Sequence, residues 1–218
     1  MKMSGTGLAL LLAALVPLTG CASLTGTQRG AVIGAGAGGA VGAAIGKATG
    51  STARGAIIGA AIGGTAGAVI GRQMDKQADE LEDDLENATV ERYGEGLLIT
   101  FASGLLFDFD SDVIMGNARS NLTDLANSLR QYPNTEVLIV GHTDATGSDS
   151  YNMDLSYRRA NAARQYLISQ GIPSDRIRTE GRGESEPVGS DAQNRRVEVA
   201  IFADEETREQ LRRQYGGN

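Results

Sequence analysis

The chain has 218 residues, 41% hydrophobic and 22% charged, with a formal net charge of −7 and a pI near 4.8. That length allows one or two domains, and the acidic balance offers no basic stripe to replace counterions on phosphates, which argues against nucleic acid as the main partner. One cysteine (Cys21) and one histidine (His142) exclude an intrachain disulfide and a zinc site of the His/Cys type; a Ser–His–Asp triad would have to use His142, which nothing else in the sequence supports, and no cofactor is expected.

Residues 1–20 open with Lys2 and continue into "GLALLLAALVPLTG". A short basic start, an apolar stretch and small residues before a break predict an export signal, not a spanning helix. The end of that segment, Leu18-Thr19-Gly20-Cys21, resembles the lipobox of bacterial lipoproteins. The resemblance implies cleavage before Cys21, acylation of Cys21 with palmitate and other chains, and a lipidated N-terminus over 21–28. Several acyl chains anchor stably where one binds only marginally. Ala22 and Ser23 follow the cysteine where an aspartate would suggest the inner membrane, so the resemblance favours the outer membrane. The competing reading of Cys21 is a buried free thiol.

The stretches "RGAVIGAGAGGAVGAAIGK" (29–47) and "RGAIIGAAIGGTAGAVIGR" (54–72) align without a gap at an offset of 25. Glycines recur at every fourth residue from Gly30 to Gly46 and from Gly55 to Gly71, and Arg29, Lys47, Arg54 and Arg72 close the ends. A four-residue step keeps the glycines on one helix face. In water each interior glycine costs about 1 kcal/mol relative to alanine, and close approach between helices in a membrane is what rewards small residues at this spacing. Each stretch spans roughly 25 Å as a helix, short for an average bilayer and closer to the thinner outer membrane. The pair resembles the glycine-zipper hairpins of some outer-membrane-associated lipoproteins, with "ATGSTA" (48–53) as the connection, which implies a two-helix membrane hairpin of transmembrane helices over 29–72. A flexible low-complexity linker is the alternative. Gly34, Gly36 and Gly39 fit G-x-G-x-x-G, but no strand precedes them and no acidic residue follows at the required distance, so they are not a phosphate loop.

The acidic stretch 73–94 places Met74, Ala78, Leu81 and Leu85 on one helix face and is expected to be a solvated helical linker. A globular domain is expected over 95–203. It begins with a strand, "GLLITFA", and an extended entry, "LLFDFDS". A helix follows over 117–133, with Leu122, Leu125, Ala126 and Leu129 inward and Pro133 as its stop. "TEVLIVGHTD" reads as a buried strand, and 151–172 as a long helix with Leu155, Ala162, Ala163, Tyr166 and Leu167 inward, closed by Gly171. "RIRTEGRG" and "RRVEVAIF" alternate as half-exposed strands do. The order predicts an α+β fold, a β-α-β-α-β-β sandwich with helices on one sheet face; residues 204–218 are expected to be a polar tail.

Asp144 follows the apolar strand and Arg159 lies inside the next helix. Read from the residues alone, they are an ion pair locking strand to helix, an acid/base pair, or two halves of a site for a group carrying both charges. Arg158 is expected to be solvated and His142 to pack beside the strand end. Asp108, Asp110 and Asp112 alternate like a calcium loop but lack its glycine and glutamate. No second, separately tuned carboxylate of the kind a glycan hydrolase needs is evident, so no enzyme is expected.

The segments "FDFDSD", "VLIVGHTDATG", "YNMDLSYRRANAARQYL", "IRTEGRGESEP" and "NRRVEV", in this order across 95–203, resemble the OmpA-like peptidoglycan-binding domain. The resemblance implies that Asp144 receives the ammonium and Arg159 the carboxylate of the diaminopimelate side chain in peptidoglycan, the latter through two parallel bonds that lysine cannot copy. It further implies that Thr143, Asn152, Asp110, Ser111, Asn194 and Arg195 line the groove or hold its shape. Only "VGSDAQ" separates "SEP" from "NRR", shorter than is usual for the loop bordering that groove. The implied function is a non-enzymatic outer-membrane lipoprotein, with its C-terminal domain in the periplasm, that tethers membrane to wall. Its partners would be peptidoglycan and, through acyl chains and hairpin, the outer membrane. The alternative is an oligomeric assembly or pore built on the glycine hairpins, a homo-oligomer that the wall-binding domain only locates.

Overall fold

A computed structural model describes residues 50–116 and 118–215. The export signal, Cys21 and the first glycine repeat lie outside the described residues. The elements are α1 (Thr52–Ala60), α2 (Gly64–Asp84), β1 (Ala88–Tyr93), β2 (Gly96–Ala102), the short α3 (Ser103–Leu106), α4 (Ala118–Gln131), β3 (Thr135–Gly141), α5 (Asp149–Ser169), a 3-10 turn (Ser174–Arg176), β4 (Ile177–Gly181), the short α6 (Asp191–Asn194), β5 (Arg196–Ala203) and α7 (Glu205–Tyr215).

The strands form one sheet in the order β1-β2-β5-β3-β4. β3 and β4 are parallel, joined by the α5 crossover; the other pairings are antiparallel. Successive side chains on a strand face opposite ways. Leu97, Ile99, Phe101, Val137, Ile139, Val197, Val199 and Ile201 therefore share one face, buried together with residues of α2, α4 and α5. Leu98, Leu138, Val140, Ala200 and Phe202 share the other, buried with Ala53, Ile57 and Ala60 of α1. α4 buries Leu122, Leu125, Ala126 and Leu129, the four residues its periodicity assigns inward. α5 buries Leu155, Ala163 and Leu167, while Ala162 and Tyr166 are only partly buried beside the core. It starts at Asp149, earlier than expected, on a Ser148 cap whose hydroxyl accepts from Tyr151 N at 3.3 Å, and it ends before Gly171 at φ +90°.

Five expectations are corrected. First, the sheet has five strands, and β1 falls inside the expected linker, so the domain does not begin at 95. Second, the 73–94 segment is helical only to Asp84, and that helix is no solvated stalk. Met74, Ala78 and Leu81 are buried in the core, Gln77 donates to Ser128 Oγ (3.0 Å), and Tyr132 donates to Glu80 (2.8 Å), because its apolar stripe finds α4 and the sheet. Third, both faces of the sheet carry helices, since α1 covers the second. Fourth, the second glycine repeat is not one arm of a continuous hairpin. It breaks at Ala61–Gly63, where Ala61 is extended and Gly63 and Gly64 take φ +70° and +62°. Ile57 and Ala60 of the repeat are buried on the second sheet face and Ile70 in the main core. Among the described residues no helix is long and apolar enough to cross a membrane. Fifth, the tail is ordered as α7, with Arg208 donating back to Ala203 O (3.0 Å).

Two glycines fix how α5 sits. A Cβ on Gly141 would collide with the Ser156 carbonyl oxygen, and one on Gly181 would lie 2.7 Å from Tyr157 N, so the helix lies directly on the β3 and β4 backbones. Glycine within a strand marks such close approach. Gly141→Ala must push α5 outward against backbone rather than a flexible side chain. Overpacking of this kind costs about 1–3 kcal/mol, and a backbone clash belongs at the upper end; chemical denaturation should show that loss. An unchanged unfolding midpoint would show that the helix does not depend on this contact.

Candidate functional site

Beyond the carboxyl end of β3 and the amino end of β5 an open cleft of about 500 Å³ is lined by Phe109, Asp110, Thr143, Asp144, Thr146, Gly147, Tyr151, Asn152, Leu155, Arg159, Asp191 and Arg195. Three segments build it: the loop after α3, the loop from β3 into the first turns of α5, and α6 with the residue that follows it. The inward face of α5 changes character along its length. Asn152, Ser156 and Arg159 are buried in its first half, Ala163 and Leu167 in its second. The polar half therefore meets the strand ends, and the apolar half meets the core.

Asp144 is held on two sides. Its Oδ1 accepts from Thr146 N (2.9 Å) and its Oδ2 from Arg195 Nη1 (2.5 Å). Burial pushes its carboxyl upward, but the bonds from Arg195 and Thr146 outweigh it and hold the pKa below the usual carboxylate value. The group is an anion at neutral pH.

Arg159 is 4% exposed. Its Nε donates to Ser111 O (2.9 Å), and its guanidinium lies 5.5 Å from the centre of the Phe107 ring. Burial lowers its pKa, with Asp110, Tyr151 and Asp112 acting in the opposite direction. No ion pair joins it to Asp144, and among the described residues neither Nη group has a hydrogen-bond acceptor. Its unpaired Nη donors border the open cleft, where they are accessible to a ligand. The lock between strand and helix that the sequence allowed is thus absent; Asp144 pairs instead with Arg195, 51 residues further on.

Of the residues singled out from sequence, Asp110, Thr143, Asp144, Asn152, Arg159 and Arg195 line the cleft together. Asp110 sits at φ +58°, tolerated for aspartate in a turn, and its carboxylate accepts from the Tyr151 hydroxyl. Asn152 donates to Asp144 O (3.2 Å) and Glu184 Oε2 (2.7 Å). Thr143 is anchored by its backbone N–H to Gly183 O (2.9 Å), and its buried hydroxyl has no partner among the described residues. The other two serve by support. Ser111 offers its carbonyl to Arg159, and Asn194 Oδ1 accepts from Val188 N (2.8 Å) and Gly189 N (3.3 Å), shaping the short loop. Arg158 is not simply solvated: it pairs with Asp112 at 3.3 Å and with Asp154. Among the described residues no acidic or His/Cys cluster is suited to a metal. His142 is buried beside Glu198 (3.5 Å) and Glu186 (3.9 Å), on the opposite sheet face.

Sequence reasoning missed Phe109, Tyr151 and Asp191. Phe109 carried a signal: alternation in "FDFD" sends Phe107 inward and Phe109 outward, and Phe109 is 95% exposed at the rim of the cleft. Tyr151 carried none, because its hydroxyl meets Asp110, 41 residues away, and Asp191 opens the short α6, which has no pattern of its own.

Residues 106–200 match the OmpA family, and residues 1–75 match the YMGG-like Gly-zipper family. The chain is 37% identical over 119 residues to the "Probable lipoprotein YiaD" of Escherichia coli (strain K12), covering 52% of this chain and 54% of that protein. It is 43% identical over 84 residues to the peptidoglycan-associated lipoprotein of Rhizobium meliloti (strain 1021), covering 38% of this chain and 48% of that protein. The chain thus spans about half the length of these curated relatives. Among solved structures, the cell wall anchor of the T6SS from Pseudomonas aeruginosa superposes with a TM-score of 0.52 at 27% identity, over 60% of this chain and 97% of that one. The chain is thus similar to the OmpA family over residues 106–200 and to the YMGG-like Gly-zipper family over residues 1–75.

Proposed function

We propose that the chain binds peptidoglycan without covalent chemistry, through the free end of the diaminopimelate side chain, and tethers the outer membrane to the wall through a lipid on Cys21. One observation carries the reading: a buried arginine with unmatched donors and an ionised aspartate open into the same cleft. The end of a diaminopimelate side chain bears an ammonium and a carboxylate on one carbon, and so asks for an anion and a cation held a short way apart. Arg159 offers two Nη donors to the carboxylate, a forked geometry that lysine lacks. Asp144 receives the ammonium, Asn152 and Thr143 flank it, and Arg195 keeps the aspartate charged until the ligand arrives.

A relative named as a peptidoglycan-associated lipoprotein and a structural neighbour titled a cell wall anchor support the reading. So does the resemblance of Leu18–Cys21 to a lipobox. Many weak grips between two extended surfaces add by avidity. The reading is binding and not hydrolysis: a glycan hydrolase needs a protonated carboxyl opposite an ionised one, and Asp144, held ionised by Arg195 and Thr146, could fill only the second of those roles. The competing assembly of paired glycine helices requires the second repeat as one continuous arm, whereas α1 and α2 divide it.

Arg159→Ala and Asp144→Ala should each weaken sedimentation with diaminopimelate-type peptidoglycan by roughly tenfold or more. A hydrogen bond to a charged group is worth about 1.5–3 kcal/mol, and truncating one side of a buried charge pair costs about 2–5 kcal/mol. Arg159→Lys should bind poorly despite its charge, and Arg158→Ala, whose ion pairs are half-exposed, should change binding little. Folded Arg159→Ala and Asp144→Ala variants that sediment like the parent would place the ligand elsewhere.

The acid limb of binding gives a second check. The depressed pKa of Asp144 keeps its carboxylate available through mild acid, so binding should persist until the pH falls below the ordinary carboxylate range. Arg195→Ala removes the first of the interactions lowering that pKa and should move the acid limb to higher pH. A limb that stays in place would show that Arg195 does not set the charge of Asp144.

A further inference from the structure

The two glycine repeats look alike in sequence, and the second packs against the domain's own sheet. α1 is nine residues long and presents Ala53, Ile57 and Ala60 to the second face of the sheet, with Ile57 its only large buried side chain. The seat is shaped for it: a Cβ on Gly96 would lie 2.7 Å from Ile57 Cγ2. Its amino end is held by two carboxylates. Ser51 Oγ donates to Glu198 Oε2 (3.1 Å), while Thr52 N (3.1 Å) and Thr52 Oγ1 (2.5 Å) donate to Glu186. Arg182, Arg196 and His142 surround these carboxylates and keep them in place. Beyond α1 the chain passes over the β1–β2 turn, where Glu95 accepts from Ile62 N (2.8 Å) and Gly63 N (2.7 Å). At the same offset of 25, the first repeat region has Gly26 where Ser51 stands, Gln28 where Ala53 stands and Ala37 where Ile62 stands. Thr27 and Val32 stand where Thr52 and Ile57 do, so the sequence differences lie at Gly26 and Gln28.

The same segment is built to come away. A helix of nine residues is below the roughly 12–15 needed for marginal stability on its own, so it persists only while seated. Residues with positive φ bound it on both sides: Gly50 at +66°, and Gly63 and Gly64 at +70° and +62°. α2, by contrast, places Ile70, Met74, Ala78 and Leu81 in the main core. Segments with few large buried side chains open before the core does.

We propose that α1 is a releasable strap on the second sheet face, latched by Glu186 and Glu198 and hinged at Gly50 and Gly63–Gly64, whose undocking lengthens the chain between residue 50 and the domain while the cleft stays folded. Extended chain reaches roughly 3.5 Å per residue against 1.5 Å in a helix, so release of residues 51–63 adds on the order of 20 Å of reach. The adjustable length matters for function if the chain is a tether, and to that extent the inference rests on the proposed function; the docking itself does not.

Hydrogen–deuterium exchange of the full chain in detergent tests it without any wall ligand. Residues 52–60 should exchange faster than β3 by roughly tenfold or more. Thr52→Val, which removes a latch donor, and Ile57→Ala, which empties the seat, should each speed exchange in 52–60 by a further factor of roughly ten. Neither should change exchange in β3 or in α5. Exchange of 52–60 at the rate of β3, or acceleration of all three segments together in both variants, would show that α1 is a fixed part of the domain and would overturn the proposal.

Discussion

The cleft depends on one close contact, the seating of α5 on bare strand backbone. Gly141 ends β3, Gly181 ends β4, and Gly183 follows at φ +51°; a Cβ on any of the three would come within 3.0 Å of the backbone or the Ser156 side chain of α5. With nothing between helix and strands, the first half of α5 is pressed toward the carboxyl ends of β3 and β4. Ser156 closes the contact from the helix side, accepting from Gly183 N at 2.9 Å. Asn152 and Arg159 lie one turn to either side of Ser156 on the same buried face of the helix. Both are thereby fixed relative to Asp144.

That placement explains why opposite charges coexist without neutralising each other. Arg159 is turned toward Ser111 and Phe107, and Asp144 toward Thr146 and Arg195. Each is held by neighbours that leave part of its bonding capacity facing the cleft. An arginine held by Ser111 with its Nη donors open to the cleft, beside an ionised aspartate, is the physical argument for reading the cleft as a place for a zwitterionic group. Rigid, separately supported charges favour recognition of such a group over proton transfer, which would need one of them poised to change state.

Much of this was legible in sequence where periodicity was strong. The 3.6-residue spacing of Leu122, Leu125, Ala126 and Leu129 translates directly into α4. "RRVEVAIF" is a strand as expected, but it is not half-exposed: β5 is buried along its whole length because helices cover both faces of the sheet. The motif residues Asp144, Arg159, Asn152 and Thr143 do meet in one cleft. What escaped is what small residues leave undetermined. A glycine ladder permits close approach to any surface, so it could not say whether its partner was another helix or the domain's own sheet. β1 escaped because "ATVERY" follows a strongly helical acidic stretch without a proline to divide them. The Asp144–Arg195 pair escaped because it joins loops 51 residues apart, a distance over which no local pattern operates.

The central claim is that Arg159 and Asp144 together recognise an ammonium and a carboxylate carried on one carbon. Calorimetric titration of the domain with a muropeptide ending in meso-diaminopimelate, beside the same muropeptide with lysine in its place, tests this most directly. Lysine keeps an ammonium but lacks the carboxylate that Arg159 would meet. The account predicts saturable binding of the first and at least roughly tenfold weaker binding of the second. Equal affinity for both would contradict it.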